Sequence, residues 1–192
     1  MILAWDNSWI LYTPTKTGTY SLEGTLIDVL NVGVKIKPRH RMDIEMAPDK
    51  SQRLMIVRHP VERWCSIYWA IHRWTNSNSH PYMHQFIESP NIFADEYFRR
   101  IKDGELWPMY TNNNTQNAAS CKPHHVFKTE ELSKVLEHLG HSPELLKHLN
   151  HTKNRPSCLD TLAQLSVENQ QALWEWALPD MESFSYEGTF GL

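Results

Sequence analysis

The feature that most limits the fold of this chain is a repeated change of hydrophobic period, from short apolar runs to helical spacing and back. Trp9–Tyr12 is a continuous apolar run that stops at Thr13 and Pro14, as a buried strand does. Apolar residues at helical spacing then predict a helix that ends near Asn31: Leu22, Leu26, Val29 and Leu30. A second strand is predicted over residues 32–36, where apolar residues alternate.

The same alternation continues along the chain. Leu54–Val57 predicts a strand that is apolar on both faces, and Pro60 suits the first position of the helix that follows. His125–Phe127 predicts a fourth strand, followed by an amphipathic helix that ends at Gly140. Ser166 is predicted to cap the last helix. Strands that alternate with helices predict an α/β fold with a central parallel sheet flanked by helices.

Length and composition place the chain among ordinary globular proteins. Its 192 residues suit a single domain over residues 1–192, and 41% hydrophobic with 21% charged residues is close to average usage. We expect the polar segment of about 75–120 to be an insertion on the acceptor side of a ligand crevice. A formal net charge of −3 argues against a protein that coats nucleic acid.

The three cysteines and the lack of a long apolar stretch predict the cellular setting. Cys65, Cys121 and Cys158 are odd in number and widely spaced, which is no disulfide framework and favours a reducing compartment. No stretch approaches the roughly 18 apolar residues needed to span a bilayer. We therefore expect a soluble, cytoplasmic protein with no membrane partner; the oligomeric state is not predicted.

The segment between the first strand and the first helix has the residues of an anion site. A helix N-terminus offers backbone N–H groups and the positive end of a dipole, Gly18 allows close approach of a ligand, and Lys16 adds a full charge. A simple threonine-rich helix cap is the alternative. A Walker loop places lysine after its second glycine, whereas here Lys16 precedes Gly18. The third strand is followed by Arg58 rather than an aspartate for magnesium, which argues against a kinase.

At this point a family resemblance becomes specific. The segment resembles the P-K-[ST]-G-[ST]-[ST] loop of sulfotransferases that use 3′-phosphoadenosine 5′-phosphosulfate (PAPS), although Thr15 replaces the usual proline and Tyr20 a small hydroxyl residue. The resemblance implies that the 5′-phosphosulfate is bound by the loop residues Thr15, Lys16, Thr17, Gly18, Thr19, Tyr20 and Ser21. It also implies a P-loop NTPase-like three-layer sandwich.

A second segment extends the resemblance. Val57 to Ser66 is similar to the family's strand-to-helix segment, in which an Arg and a Ser eight positions later bind the 3′-phosphate; Arg58 and Ser66 have this spacing. An ion pair between Arg58 and Glu62 is the structural alternative. The segment around Arg155 resembles the basic loop that approaches the nucleotide in these enzymes.

The implied reaction transfers a sulfuryl group in line from PAPS to an acceptor hydroxyl or amine. Lys16 is expected to stabilise the charge that develops on the leaving phosphate. His40, after the second strand, is the candidate base, with Glu23 and Glu45 in reserve and an ordinary surface histidine as the alternative. The acceptor is expected to be a small molecule or a carbohydrate, although no motif identifies it.

Two further readings of the chain remain open. One is a P-loop-like nucleotide kinase or phosphotransferase, and the other is a relative that binds a nucleotide without turnover. A metal site is not expected, because the Cys121–His124 and His80–His84 spacings lack a second paired motif. The reaction itself implies no metal.

Overall fold

A computed structural model describes residues 1–14, 16–36, 44–76, 87–104, 121–147 and 156–186. Its sheet has five strands in the order β3-β1-β2-β4-β5. Their bounds are β1 Ile2–Ala4, β2 Trp9–Tyr12, β3 Gly33–Lys35, β4 Gln52–Val57 and β5 His125–Lys128. The strands expected over residues 9–12, 32–36, 54–57 and 125–127 are thereby confirmed, to within two residues at each end. Strand β1 was not predicted.

The sheet is mixed, which corrects the expectation of a parallel sheet. Strand β2 pairs in parallel with β4, and β4 with β5, but β1 is antiparallel to both β2 and β3. The cause is local: the turn Trp5–Ser8 is too short for a crossover, so β1 and β2 must form a hairpin. Asp6 stabilises this turn by accepting the Ser8 N–H at 3.0 Å. Strands β2, β3, β4 and β5 therefore run in one direction.

Six α-helices lie in the described part of the chain. Their bounds are α1 Thr19–Leu26, α2 Pro60–Asn76, α3 Pro90–Lys102, α4 Ser133–His138, α5 Cys158–Leu162 and α6 Val167–Ser183. Short 3₁₀ turns cover Ile44–Met46, Thr129–Glu131 and Pro143–Leu145. Helix α6 begins where predicted, since the Ser166 hydroxyl accepts the Asn169 N–H at 3.2 Å.

Helix α1 ends earlier than its apolar spacing predicted. It stops at Leu26 rather than near Asn31, and Val29 is exposed. The chain leaves the helix through backbone hydrogen bonds from Leu30 N–H to Thr25 O and from Val32 N–H to Leu26 O, both 2.9 Å. Asn31 between them has a φ of 50°, a left-handed conformation that ends a helix.

The chain divides into two compact units. The first comprises Met1–Arg58 and Gln116–Thr152 and contains the whole sheet. Its core lies where α1 and α4 pack on the strands, and it includes Leu11, Leu22, Leu26, Ile56 and Leu136, each no more than 2% exposed. Burial of such side chains from both helices and sheet stabilises the unit by about 1.5–3 kcal/mol each.

The second unit comprises His59–Thr115 and Lys153–Leu192 and is helical in its described residues. Its core is aromatic: the fully buried Trp64 ring lies 5.4 Å from Phe93 and 6.4 Å from Tyr97, centroid to centroid. Helices α2, α3, α5 and α6 all contribute to this core. The prediction of one domain with an insertion at about 75–120 stays a prediction.

Among the described helices, none combines the length and the apolar character that crossing a membrane requires.

Candidate anion-binding site

The loop between β2 and α1 has an unusual backbone conformation. Lys16 has a φ of 69° and Gly18 a φ of 84°, whereas Thr17 between them is outside the positive-φ region. Backbone nests that bind anions alternate right-handed and left-handed residues, so that successive N–H groups turn toward one side. Lys16 and Gly18 are two positive-φ residues at the spacing of such an alternation. A lysine in the left-handed region costs energy. Lys50 and Lys122 also have positive φ, of 70° and 43°, so the strain alone does not mark Lys16 as functional.

At the start of α1, several backbone N–H groups have no acceptor among the described residues. The helix is capped by Gly18, with no side-chain hydrogen bond to the cap from the described residues. Ser21 and Leu22 donate their N–H groups to Gly18 O at 3.1 and 3.3 Å. By contrast, the N–H groups of Thr17, Gly18 and Thr19 donate to none of the described residues. No acidic residue lies in the first turn, so the positive end of the helix dipole is not neutralised there.

The hydroxyl of Thr19 is a buried polar group at the start of α1 for which the described residues supply no hydrogen-bond partner. Thr19 is 4% exposed, and its hydroxyl is buried without a hydrogen-bond partner in the described part of the chain. A buried hydroxyl in that state costs about 1–3 kcal/mol. Its neighbour Thr17 is satisfied, because its hydroxyl donates to Pro14 O at 2.8 Å. The unsatisfied hydroxyl therefore lies at the same helix terminus as the available N–H groups.

Two further cations occupy the same edge of the sheet. Arg58 directly follows β4, which pairs in parallel with β2 in the register Tyr12 to Met55. Lys128 ends β5, opposite Val57. Thr129, next in the chain, donates its hydroxyl to Val57 O at 2.9 Å and holds these two strand ends together. Parallel strands place their carboxyl ends at one edge, so Lys16, Arg58 and Lys128 follow three adjacent strand ends.

Of the other predicted site residues, some lie in described helices and some lie outside the described residues. Ser21 is buried and Tyr20 is 47% exposed, both in α1. Ser66 is 5% exposed and lies in α2 of the second unit. Thr15, His40 and Arg155 lie outside the described residues, so their assignments stay predictions. The structure thus brings Lys16, Thr17, Gly18, Thr19 and Ser21 into one loop and helix start, with Arg58 one strand away.

The two reserve candidates for a base have different surroundings. Glu23 is buried in α1 and accepts a hydrogen bond from Lys35 Nζ at 2.8 Å. Lys35 ends β3, so this ion pair ties the helix to an edge strand of the sheet. Glu45 is exposed in the turn Ile44–Met46. The pair with Lys35 makes Glu23 a structural residue first.

Lys128 was not among the residues that the sequence singled out for the site. The signal was present, because Lys128 directly follows a predicted parallel strand. No cluster of three or more His, Cys, Asp or Glu side chains suited to a metal ion occurs among the described residues.

Comparison of the chain with protein-family models, with curated proteins and with solved structures gives no match.

Proposed function

We propose that the loop from Thr15 to Ser21 binds the 5′-phosphosulfate of PAPS and that the chain is a PAPS-dependent sulfotransferase. The observation that carries the proposal is the group of donors at the start of α1. Three successive N–H groups, from Thr17 to Thr19, and the buried Thr19 hydroxyl make no hydrogen bond to the described residues. They follow directly after the charge of Lys16. A tetrahedral anion supplies acceptors for all of these donors.

A second anionic group on the ligand is supported by the position of Arg58. Neighbouring strands lie about 4.8 Å apart, so a residue after β4 is within a nucleotide's length of the loop after β2. Arginine binds phosphate through a planar fork of N–H donors. A doubly phosphorylated adenosine accounts for Lys16 and Arg58, whereas a single phosphate uses only one of these two cations. The proposal assigns the 3′-phosphate to Arg58, with Ser66 as its predicted partner.

The reaction moves a sulfuryl group between two oxygens. The bond from sulfur to the bridging oxygen of the donor's phosphate breaks, and a bond from sulfur to the acceptor oxygen forms. The acceptor proton passes to a base, for which His40 is the candidate, and the electron pair of the broken bond stays on the departing phosphate. Lys16 and the loop N–H groups stabilise that charge, an effect worth about 10²–10³ in rate for each donor.

Calorimetry with adenosine 3′,5′-bisphosphate, the product of this reaction, tests the proposal. We expect saturable binding that Lys16→Ala weakens about 10-fold to 100-fold. Arg58→Ala is expected to weaken the bisphosphate but to leave adenosine 5′-monophosphate unchanged, because only the bisphosphate carries the group assigned to Arg58. Lys50→Ala is the matched control, since Lys50 is exposed and precedes β4 at its other end.

The outcomes separate the alternatives. Binding of ATP that strengthens with magnesium and exceeds binding of the bisphosphate would identify a nucleotide phosphotransferase instead. Bisphosphate binding without sulfuryl transfer from labelled PAPS to any acceptor would identify a non-catalytic relative; carbohydrates, phenols, small hydroxyl metabolites and peptides are the acceptor classes to offer. No heat with either nucleotide would overturn the proposal.

A further inference from the structure

Two cysteines that are far apart in the chain lie together in the second unit. Cys65 is in α2 and Cys158 is the first residue of α5, a separation of 93 residues. Their Sγ atoms are 2.6 Å apart, and both are thiols in the structure. The disulfide bond length is about 2.05 Å, so joining them needs a movement of only about 0.5 Å. We propose that Cys65 and Cys158 form a reversible dithiol–disulfide pair.

The surroundings of the pair keep both sulfur atoms in this arrangement. Cys65 Sγ lies 3.9 Å from Cys158 O, and Cys158 Sγ lies 3.9 Å from Val61 O, so each thiol is also positioned against the other element's backbone. Helix α5 is held at its start by a capping box, in which Ser157 and Asp160 exchange hydrogen bonds. Trp69 further ties α2 to α5 by donating Nε1–H to the Thr161 hydroxyl at 3.0 Å.

Cys158 is more exposed than Cys65, and this difference determines which thiol reacts first with an oxidant. Cys158 is partly exposed, whereas Cys65 is 4% exposed. A small disulfide oxidant such as oxidised glutathione therefore reaches Cys158. The Cys158 thiolate attacks one glutathione sulfur, forms a mixed disulfide and releases one glutathione thiolate. The Cys65 thiolate then attacks Cys158 Sγ and releases the second glutathione thiolate. The two protein thiols lose two electrons and two protons, and one glutathione disulfide becomes two glutathione thiols.

The third cysteine provides an internal control. Cys121 belongs to the first unit and is fully buried, with its Sγ 3.8 Å from Met55 Sδ. Burial raises the pKa of the Cys121 thiol to about 11. Its thiolate is therefore scarce near neutral pH, and Cys121 is expected to stay reduced under conditions that oxidise the other two.

Peptide mapping of the full chain after equilibration in glutathione redox buffers tests the proposal. We expect one peptide that links Cys65 to Cys158 and has lost two hydrogens, with Cys121 still open to alkylation after unfolding. Reduction with dithiothreitol should reverse the link. Oxidation should raise the Tm, on the order of 5 °C, because the bond closes a long loop in the unfolded chain. In urea, the preference for this pairing should disappear.

Single Cys→Ser variants test the role of each cysteine in turn. Cys65→Ser should accumulate glutathione on Cys158, Cys158→Ser should leave Cys65 largely unmodified, and Cys121→Ser should form the link as the parent does. Separate glutathione adducts on both cysteines of the parent without a linked peptide, or no thiol loss at any glutathione ratio, would overturn the proposal. Glutathione on Cys65 in the Cys158→Ser variant, at the rate seen for Cys158, would overturn the order of attack.

Discussion

Gly18 lies directly against Leu132: a Cβ atom on Gly18 would be 2.7 Å from Leu132 Cδ1. The contact joins the loop after β2 to the residue that precedes α4. Gly18 also has a φ of 84°, a conformation that glycine adopts without steric cost. The position of the loop is therefore set by two independent constraints on one residue, one conformational and one from packing.

Gly18→Ala is expected to destabilise the protein through both constraints. The left-handed conformation costs an alanine about 1–2 kcal/mol of stability. The added methyl group also crowds the Leu132 side chain, which costs about 1 kcal/mol more. Gly140→Ala is the matched control, because Gly140 has a φ of 77° but its added Cβ has no atom of the described residues within 4 Å. Urea unfolding should show a larger loss at Gly18 than at Gly140, and equal losses would contradict the packing constraint.

The Leu132 contact also predicts that shortening Leu132 reduces the stability cost of Gly18→Ala. In a Leu132→Ala background, the added methyl group at Gly18 has space, so the cost of Gly18→Ala should fall to that of Gly140→Ala. A double-mutant cycle in urea measures this coupling. Strict additivity of the two changes would show that Leu132 does not constrain the loop.

Lys16→Gly is expected to separate stability from binding. Glycine relieves the strain at a φ of 69°, so we expect no loss of stability or a gain of up to about 1 kcal/mol. Affinity for adenosine 3′,5′-bisphosphate should fall at the same time, because a charge is removed. Lys50→Gly, at a φ of 70°, should show the same stability effect with unchanged affinity. Thermal unfolding and calorimetry check the two readouts, and a parallel loss of both would contradict a strained functional lysine.

Thr19→Val tests the buried hydroxyl. Since this hydroxyl has no partner in the described part of the chain, its removal should leave the ligand-free protein as stable or up to about 1 kcal/mol more stable. Bisphosphate affinity should fall about 5-fold to 10-fold. The control is Thr25→Val, because the Thr25 hydroxyl donates to Ser21 O at 2.8 Å and accepts from Lys147 N–H at 2.9 Å. A stability loss at Thr19 equal to that at Thr25 would show that the Thr19 hydroxyl is already satisfied.

The pH dependence of stability should include a contribution from His138. Its ring lies 4.4 Å from that of His125 and 5.4 Å from Phe127, centroid to centroid, and Nε2 contacts Gln52 Oε1 at 3.1 Å. His138 is exposed overall, but desolvation of its ring and, secondarily, the charge of His125 lower its pKa below the ordinary value of 6.5. The unfolded chain therefore binds the proton more readily, and stability falls as the pH drops through about 6.5.

Urea unfolding at several pH values checks this contribution. The wild type should lose more stability between about pH 7.5 and pH 5 than His138→Gln, because the variant removes the group whose pKa differs between the two states. His141→Gln is a control on a half-buried histidine of the same region. An identical pH profile for His138→Gln and the wild type would contradict the assignment.

Much of the sheet could be predicted because four of its five strands carry their own apolar pattern. Trp9–Tyr12 and Leu54–Val57 are continuous apolar runs that end at Pro14 and before Pro60. Strand β1 could not be recognised, because a three-residue strand is too short to show a period and its identity depends on the hairpin with β2. Missing β1 is what made the sheet look parallel from the sequence.

The site was accessible to sequence reasoning only in part. The order of Lys16 and Gly18 after a strand indicated an anion loop, but the left-handed conformation of Lys16 and the burial of Thr19 depend on how α1 packs. The proximity of Cys65 and Cys158 was likewise hidden, since cysteine pairing cannot be deduced from spacing and these two are 93 residues apart.

The binding of a phosphate group by the start of α1 is tested most directly by proton–nitrogen correlation spectra of the labelled protein, titrated with adenosine 3′,5′-bisphosphate. The account predicts that the N–H signals of Gly18 and Thr19 move downfield and saturate together, as expected for N–H groups that gain a charged acceptor, while the signal of Lys50 stays in place. Saturation of other signals with Gly18 and Thr19 unmoved would contradict it.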